Sequence, residues 1–374
     1  MSIKKSYEEI NKKIASGDVV VLTAAEVAEM AKTASPSDIA RKVDVVTTAT
    51  FGPMCSSGVF INFGHTDPPM RMEKILLNDV PAYGGVAAVD AYLGATSESE
   101  NNKQYGGAHV IEALLAGQRI EIKARGKGTD CYPRKEYQGY IDIHSVKDAI
   151  MFNPRNAYQN YCVAVNGSAK TIFTYMGVLL PRFGNATYST SGELSPLLND
   201  PDLRTIGIGT RIFLGGDQGF VSWRGTQFRT DVEKNAFDIP VKNAATLAVT
   251  GNLKNMSPTF IKAAYFENYG VSLFVGIGIP IPVLDEDIAA RVSIRNEQIQ
   301  TTVVDYASPG RESYGLVSYK HLMEGWIDIK GKRVKTAPLS SLKRASEIAS
   351  ELAQWIRNGK FQISEPVQLL TDNV

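Results

Sequence analysis

Val43-Asp-Val-Val-Thr-Thr-Ala-Thr-Phe-Gly-Pro-Met-Cys-Ser-Ser-Gly58 is the stretch on which the fold turns. Its β-branched run from Val43 to Phe51 reads as a buried strand. Gly52-Pro53 then bends the chain and delivers Cys55 among small residues. Three cysteines occur in 374 residues, so each must be accounted for. Small neighbours leave backbone N–H groups accessible, and such a nest favours a reactive thiol. A buried cysteine acting as a small hydrophobe is the competing reading.

Upstream, residues 5–16 carry Tyr7, Ile10 and Ile14 on one helical face, with Gly17 as the stop. Val19–Leu22 reads as a short buried strand, and Thr23-Ala-Ala-Glu26 has the spacing of a capping box opening a helix through Ala34. Helix and strand signals alternating at this rate predict an α/β layered start. Downstream comes an internal echo. Tyr83-Gly-Gly and Tyr105-Gly-Gly each head an apolar, helix-like body with an acid at the eighth place, Asp90 and Glu112. Each predicts a glycine turn feeding a helix whose free N–H groups hold an anion, or else a helix packed closely on a sheet. Residues 96–104 are polar and read as a surface loop.

Strand-type runs recur at 171–180, 246–250 and 271–281, and residues 181–230 are crowded with Gly, Asn and Thr. The last third ends in a helix capped by Ser340/Ser341, striped by Leu342, Ala345, Ile348, Ala349, Leu352 and Ile356, and stopped by Gly359. The expectation is mixed layered α/β with Gly-rich turns around a central pocket. One large domain covers 1–374, with a minor boundary at the polar stretch 231–243.

Composition excludes several classes. Forty Lys+Arg against 39 Asp+Glu give a formal charge of +1, so no basic field marks a nucleic-acid binder. The greasiest run, Val271–Leu284, is broken by Pro280 and Pro282 and is too short to span a bilayer. The N-terminus lacks the apolar core of a signal peptide. Three cysteines without an export signal are expected as thiols in a reducing cytoplasm.

Cys131 lies in Gly128-Thr-Asp-Cys-Tyr-Pro-Arg-Lys135, with Lys127, Arg134 and Lys135 near in sequence. Positive neighbours favour the thiolate; an incidental cysteine on a surface turn is the alternative. Cys162, in an apolar strand-like setting, reads as core. No C-x₂-C or H-x₃-H spacing supports zinc, and no metal site is expected. An iron–sulfur cluster on Cys55, Cys131 and Cys162 would need ligands from distant segments. His65 and His109 are candidates for proton transfer, or are hydrogen-bonded structural histidines. Arg155 and Arg211 are candidates to clamp a substrate carboxylate bidentately, against internal salt bridges. G-x-x-x-x-G-K-[ST] is absent and Gly207-Ile-Gly-Thr does not match G-x-G-x-x-G, so nothing supports nucleotide binding.

Together the stretch 43–58, Tyr105-Gly-Gly-Ala-His-Val-Ile-Glu112 and Gly128-Thr-Asp-Cys-Tyr-Pro-Arg134 resemble the homocysteine-biosynthesis family of methanogenic archaea and anaerobic bacteria. Asn153-Pro-Arg-Asn-Ala-Tyr-Gln-Asn-Tyr161, Leu194-Ser-Pro-Leu-Leu-Asn-Asp-Pro201 and Thr205–Gly216 extend the resemblance through nearly the whole chain. It implies L-aspartate semialdehyde sulfurtransferase activity, in which an aldehyde carbon becomes the thiol-bearing carbon of homocysteine. It also implies Cys131 as the persulfide carrier and Cys55 as its redox partner, reset by a separate ferredoxin-like reductant. Many relatives carry regulatory CBS domains, and this sequence has neither these nor a cysteine-rich module. Two rivals stand beside this reading: sulfur insertion into another small carbonyl compound, and a non-catalytic sulfur carrier or iron–sulfur scaffold. Membrane and nucleic-acid partners are not expected, and a homo-oligomer is allowed.

Overall fold

A computed structural model describes residues 3–371. The first helix, Tyr7–Ser16, begins at Ser6, whose side chain accepts from the Glu9 amide while Glu9 reaches back to the Ser6 amide. It ends at Gly17, which adopts the left-handed conformation. The capping box at Thr23 and Glu26 forms as the spacing requires, over a shorter helix, Ala24–Met30. A third helix, Pro36–Lys42, was not foreseen. Its signal stands in the sequence: Ser35 as cap, Pro36 in the first turn and Asp38 at the third position.

The centre of the molecule is a 14-stranded sheet. Its strands are β1 (Val21–Thr23), β2 (Val45–Pro53), β3 (Gly58–Asn62), β4 (Lys74–Leu77), β5 (Val80–Tyr83), β6 (Asp90–Gly94), β7 (Ile120–Arg125), β8 (Glu136–Ile141) and β9 (Asp148–Asn156). The rest are β10 (Arg211–Leu214), β11 (Asp217–Arg224), β12 (Leu247–Asn252), β13 (Ile261–Phe266) and β14 (Gly270–Pro282). The order is β1-β2-β14-β10-β11-β12-β9-β3-β6-β5-β4-β7-β8, with β13 also on β14. The β1–β2 ladder is parallel, and β2 runs antiparallel to β14 from Val45↔Pro282 to Pro53↔Phe274.

This order forces curvature. Six ladders separate β2 from β3, about 29 Å along a flat sheet. Yet only residues 54–57 join them, and such a segment reaches about 18 Å at most. The sheet therefore coils until the end of β2 meets the start of β3. Helix Gly107–Leu115 fills the hollow, burying Ala108, Val110, Ile111 and Leu114 in the core shared with β3, β6, β7 and β14.

The second Tyr-Gly-Gly head thus opens a helix, but the first does not: residues 84–89 are irregular and Asp90–Gly94 is a strand. The anion expectation fails for a physical reason. The amides of Gly107 and Ala108 already donate to Ser97 and Ala95 carbonyls, at 2.8 and 2.9 Å. Close packing is what the glycines provide, since a Cβ on Gly107 would stand 1.9 Å from the Gly94 oxygen.

A second, six-stranded sheet orders 313–318, 300–305, 163–165, 186–188, 332–338 and 326–329. The terminal helix Leu342–Arg357 buries Ala345, Ile348, Ala349, Leu352 and Ile356 against the back of β2 and β14. Each fully buried Leu or Ile there is worth about 2 kcal/mol. Residues 231–243 form no helix or named strand, only an isolated bridge from Lys234 to Pro240.

Candidate functional site

Cys55 occupies the turn where β2 ends and β3 begins, and the backbone fixes it from both sides. The Met54 amide donates to Leu273 at 2.7 Å, and the Ala95 amide donates to Ser57 at 2.8 Å. Asn153, fully buried on β9, donates from Nδ2 to Ser57 Oγ at 2.8 Å. Its Oδ1 accepts the Arg155 amide at 3.0 Å. One side chain thereby ties the cysteine turn to the arginine.

The half-buried Cys55 Sγ lies 3.3 Å from the buried Ser272 Oγ, and the Tyr269 hydroxyl donates to it at 3.9 Å. Burial, reinforced by Cys55 itself, pushes the Tyr269 phenol up to about 12. The hydroxyl therefore keeps its proton at any working pH and acts as a donor.

More tyrosines line the same place. Arg155 Nε donates to Tyr158 at 2.9 Å, and a second guanidinium nitrogen bonds Gln227. Tyr175, at the tip of the hairpin 172–179, packs edge-on against Tyr269 with ring centroids 6.1 Å apart. Tyr161 donates to the Tyr175 hydroxyl at 3.1 Å, and Tyr175 and Tyr306 lie 3.1 Å apart. Burial raises the phenols of Tyr158, Tyr161 and Tyr306, so this wall also remains protonated. A cavity of ≈ 20 Å³, lined by Thr50, Met54, Tyr158, Thr190 and Ser340 among others, sits behind the turn.

Cys131 is elsewhere. It is exposed on the loop 126–135 between β7 and β8, at one edge of the sheet. The register fixes which end of the sheet that is. Gly58, beside Cys55, pairs with Gly94, whereas Arg125 pairs with Lys74, Lys74 with Tyr83 and Tyr83 with Tyr92. The β7–β8 loop therefore leaves the sheet at the Asn62 end of β3, opposite to Cys55. His65, exposed just beyond Asn62, stacks on Tyr132 with centroids 6.2 Å apart, which confirms the placement.

The two cysteines are thus not brought together, nor does one central pocket enclose them. A hollow of ≈ 840 Å³ opens over β4, β5, β7 and β8, lined by Lys74, Tyr83, Lys123, Arg125, Glu136 and Tyr137 among others. It borders the Cys131 hairpin, not Cys55. Its size gives it no priority, because a sheet face walled by paired charges lacks the convergent small-residue geometry of the Cys55 turn.

The other sequence candidates separate as well. Arg155 belongs with Cys55, and His65 with Cys131. His109 sits in the first turn of its helix, where Nδ1 accepts the Gly106 amide at 3.2 Å and the ring stacks on Tyr105. Burial lowers its pKa, against the pull of Glu112. Arg211 is held by the C-terminal segment: its amide donates to Ser364 at 2.8 Å and its guanidinium to Gln362 at 3.2 Å. Through β14 it lies level with Thr47, eight residues or about 26 Å along the strand from Cys55. Strand geometry thus keeps Arg211 from a substrate at that thiol.

Cys162 is partly buried, and burial raises its thiol. Among the described residues no group of three or more His, Cys, Asp or Glu could hold a metal. The three cysteines do not converge, so they do not fit an iron–sulfur cluster in one chain. Asn153, Tyr158, Tyr269 and Ser272 went unrecognised in the sequence. Asn153 and Tyr158 lie inside the quoted 153–161 string, but Tyr269 had only the turn signal Asn268-Tyr269-Gly270.

The family model described as "Homocysteine biosynthesis enzyme, sulfur-incorporation" matches residues 19–363. The L-aspartate semialdehyde sulfurtransferase of Methanosarcina acetivorans is 49% identical over 372 residues, 99% of this chain and 72% of that protein. The protein of the same name from Methanocaldococcus jannaschii is 49% identical over 386 residues, 98% of this chain and 74% of that one. An uncharacterized protein of Methanothermobacter thermautotrophicus is 27% identical over 322 residues, 83% of this chain and 70% of its own length. No solved structure matches. Among the described residues, no helix is long and apolar enough to cross a membrane.

Proposed function

We propose, from the premise that the chain belongs to the homocysteine-biosynthesis, sulfur-incorporation family, that it is an L-aspartate semialdehyde sulfurtransferase. The observation that carries the reading is the Cys55 turn. A thiol is fixed by two strand ends, faced by the Ser272 and Tyr269 hydroxyls and joined through Asn153 to the backbone amide of Arg155, whose guanidinium is held by Tyr158 and Gln227. That set offers a sulfur nucleophile, proton donors and a cation for a carboxylate, which are the needs of an amino-acid aldehyde receiving sulfur.

The chemistry closes with two thiols. A persulfide on Cys131 adds to the aldehyde R–CHO, giving R–CH(OH)–S–S–Cys131. Loss of water with uptake of two electrons and two protons gives R–CH₂–S–S–Cys131. The Cys55 thiolate then attacks the Cys131 sulfur, releasing R–CH₂–SH and leaving a Cys55–Cys131 disulfide. Sulfide reopens that disulfide to the Cys131 persulfide and the Cys55 thiol. The sum is one aldehyde, one sulfide, two electrons and two protons converted to one thiol and one water.

In this reading Tyr269 protonates the departing hydroxyl, Arg155 holds the substrate carboxylate, and His65 serves the Cys131 thiol. His109 and Arg211 act as anchors of the fold. The electrons come from a separate low-potential, ferredoxin-like donor, and the setting is the cytoplasm.

The test is homocysteine formation from aspartate semialdehyde, sulfide and a chemical reductant under anaerobic conditions. Cys55→Ala and Cys131→Ala are each expected to lower the rate at least about 10³-fold, as for residues acting as a unit. No product from the parent chain, or undiminished product from both variants, overturns the proposal. Product from a different small aldehyde alone would favour the rival substrate.

A further inference from the structure

The proposed cycle needs Cys55 and Cys131 to bond, yet the fold holds them at opposite ends of the sheet. From Gly58 to Asn62, β3 alone covers about 14 Å, and both cysteines lie beyond it on opposite sides. Four ladders also intervene between β3 and β7. A disulfide tolerates a Cα separation of about 7 Å at most. Nor can the loop swing across. It is anchored by the ladder from Ile120↔Ile141 to Arg125↔Glu136, by β4, and by the Arg134 amide on the Pro69 carbonyl. Reaching Cys55 within one chain would mean stripping β7 and β8 from the sheet.

We infer that the site is built between two copies of the chain, the 126–135 loop of one copy bringing Cys131 to Cys55 of the other. This rests on the two-thiol reading above. Three observations favour a second copy as the partner. β8 is the outermost strand, so the loop stands at the rim of the molecule with Cys131 exposed. Its flanks carry exposed Lys127, 3.7 Å from Glu73, exposed Lys135 and half-buried Arg134, which outnumber the exposed Asp130 beside the thiol. The rim beside Cys55 carries carboxylates: exposed Glu267 on the Tyr269 turn, and Glu98, paired with Lys103, whose Oε1 lies 3.5 Å from a Cβ built on Gly270. A two-fold arrangement makes this contact twice, each copy lending a loop and receiving one.

The covalent step is then an exchange in trans. A bond forms between Cys55 of one copy and Cys131 of the other, and the Cys131–substrate sulfur bond breaks. The electron pair leaves on the product thiolate, which takes a proton.

Complementation tests this directly. Full-length Cys55→Ala and Cys131→Ala chains are co-expressed with different tags, and homocysteine formation by the mixture is compared with each variant alone. In a mixed dimer one site loses both thiols and the other keeps both. Random pairing should therefore restore about a quarter of the parent rate. Independently, ¹⁴N- and ¹⁵N-labelled parent chains are mixed, oxidised mildly and digested, and the Cys55–Cys131 cross-link should join heavy to light peptides. A silent mixture of two inactive variants, cross-links confined within single chains, or full activity from a sedimenting monomer each overturns the inference. If either single variant keeps the parent rate, the two-thiol reading itself fails.

Discussion

The Cys55 turn and the Cys131 hairpin are both short connections between strands, but they are built for different work. The first is held by buried partners on every side: Leu273, Ala95, Asn153 and Ser272. The second is exposed, closed on itself by mutual bonds between Thr129 and Tyr132, and flanked by cationic chains. A thiol that must be aligned against a small substrate gains from the first arrangement, because pre-organisation lowers the barrier without a cost at the moment of reaction. A thiol that must collect sulfur and deliver it gains from the second, which leaves it accessible. The contrast supports Cys131 as carrier and Cys55 as the resolving partner.

Equivalent substitutions should therefore cost different amounts. Gly107 braces the 94–97 segment, which in turn holds Ser57. In Gly107→Ala the new methyl meets the Gly94 backbone oxygen, which cannot move aside, and about 3 kcal/mol of stability should be lost. Gly128, in the hairpin, has φ +71°, and an added methyl meets only the flexible Lys135 side chain. Gly128→Ala should cost about 1 kcal/mol, the left-handed penalty alone. Denaturant unfolding of the two variants decides it. Equal losses would mean that the hairpin is as tightly built as the turn.

How much of this was legible depended on distance in sequence. The Gly17 stop and the helix caps at Thr23 and Ser341 are local chemistry and were readable, but the Ser6 cap was not read. The strand-turn-cysteine of 43–58 was readable too, whereas Arg155 was nominated on the same ground as Arg211, residue type in a small-residue context, which does not tell the two apart. The two Tyr-Gly-Gly heads look alike locally. They differ because Gly107 has the 94–97 carbonyls to receive its amides, while Gly84 follows a strand paired with β4. Such a difference is tertiary. The same holds for the separation of Cys55 from Cys131, which follows from the four ladders between β3 and β7 and from a register that puts the β7–β8 loop at the Asn62 end of β3. Tyr269 becomes a neighbour of Cys55 only through the β2–β14 ladder.

The base of β2, the end of that strand away from Cys55, is held by a buried charge. Asp44, buried where that strand begins, accepts from Lys13 at 2.7 Å, from Lys5 at 2.9 Å and from the Val20 amide at 3.0 Å. Burial alone would raise its pKa, but these bonds outweigh burial and hold the carboxyl below its usual range. A depressed folded-state pKa contributes stability in full above the unfolded value, about 3.9. That stability is lost as pH falls through the folded value. Asp44→Asn should cost about 2 kcal/mol at pH 7, since it leaves Lys5 nearly buried without its anion. The deficit should shrink as pH falls below the unfolded value and on through the depressed folded one, where the parent carboxyl takes up its proton too. A deficit that stays constant as pH is lowered from 7 through and below the unfolded value would show that shape, not charge, is what Asp44 supplies.

The smallest effect separates the two hydroxyls facing Cys55. Ser272 approaches Sγ to 3.3 Å and is fully buried, while Tyr269 stands at 3.9 Å on the outer side. Both can donate to a thiolate, but the longer contact is the weaker. Tyr269→Phe keeps the ring against Tyr175 and removes only that donor. Alkylation of Cys55 at pH 7.5 should slow about threefold, the low end of what one hydrogen bond contributes. Turnover should fall further than the alkylation rate, because the same hydroxyl is assigned to protonate the departing oxygen, where its effect is felt only in the transition state. Matching losses would instead restrict Tyr269 to holding the thiolate and return the dehydration step to another acid.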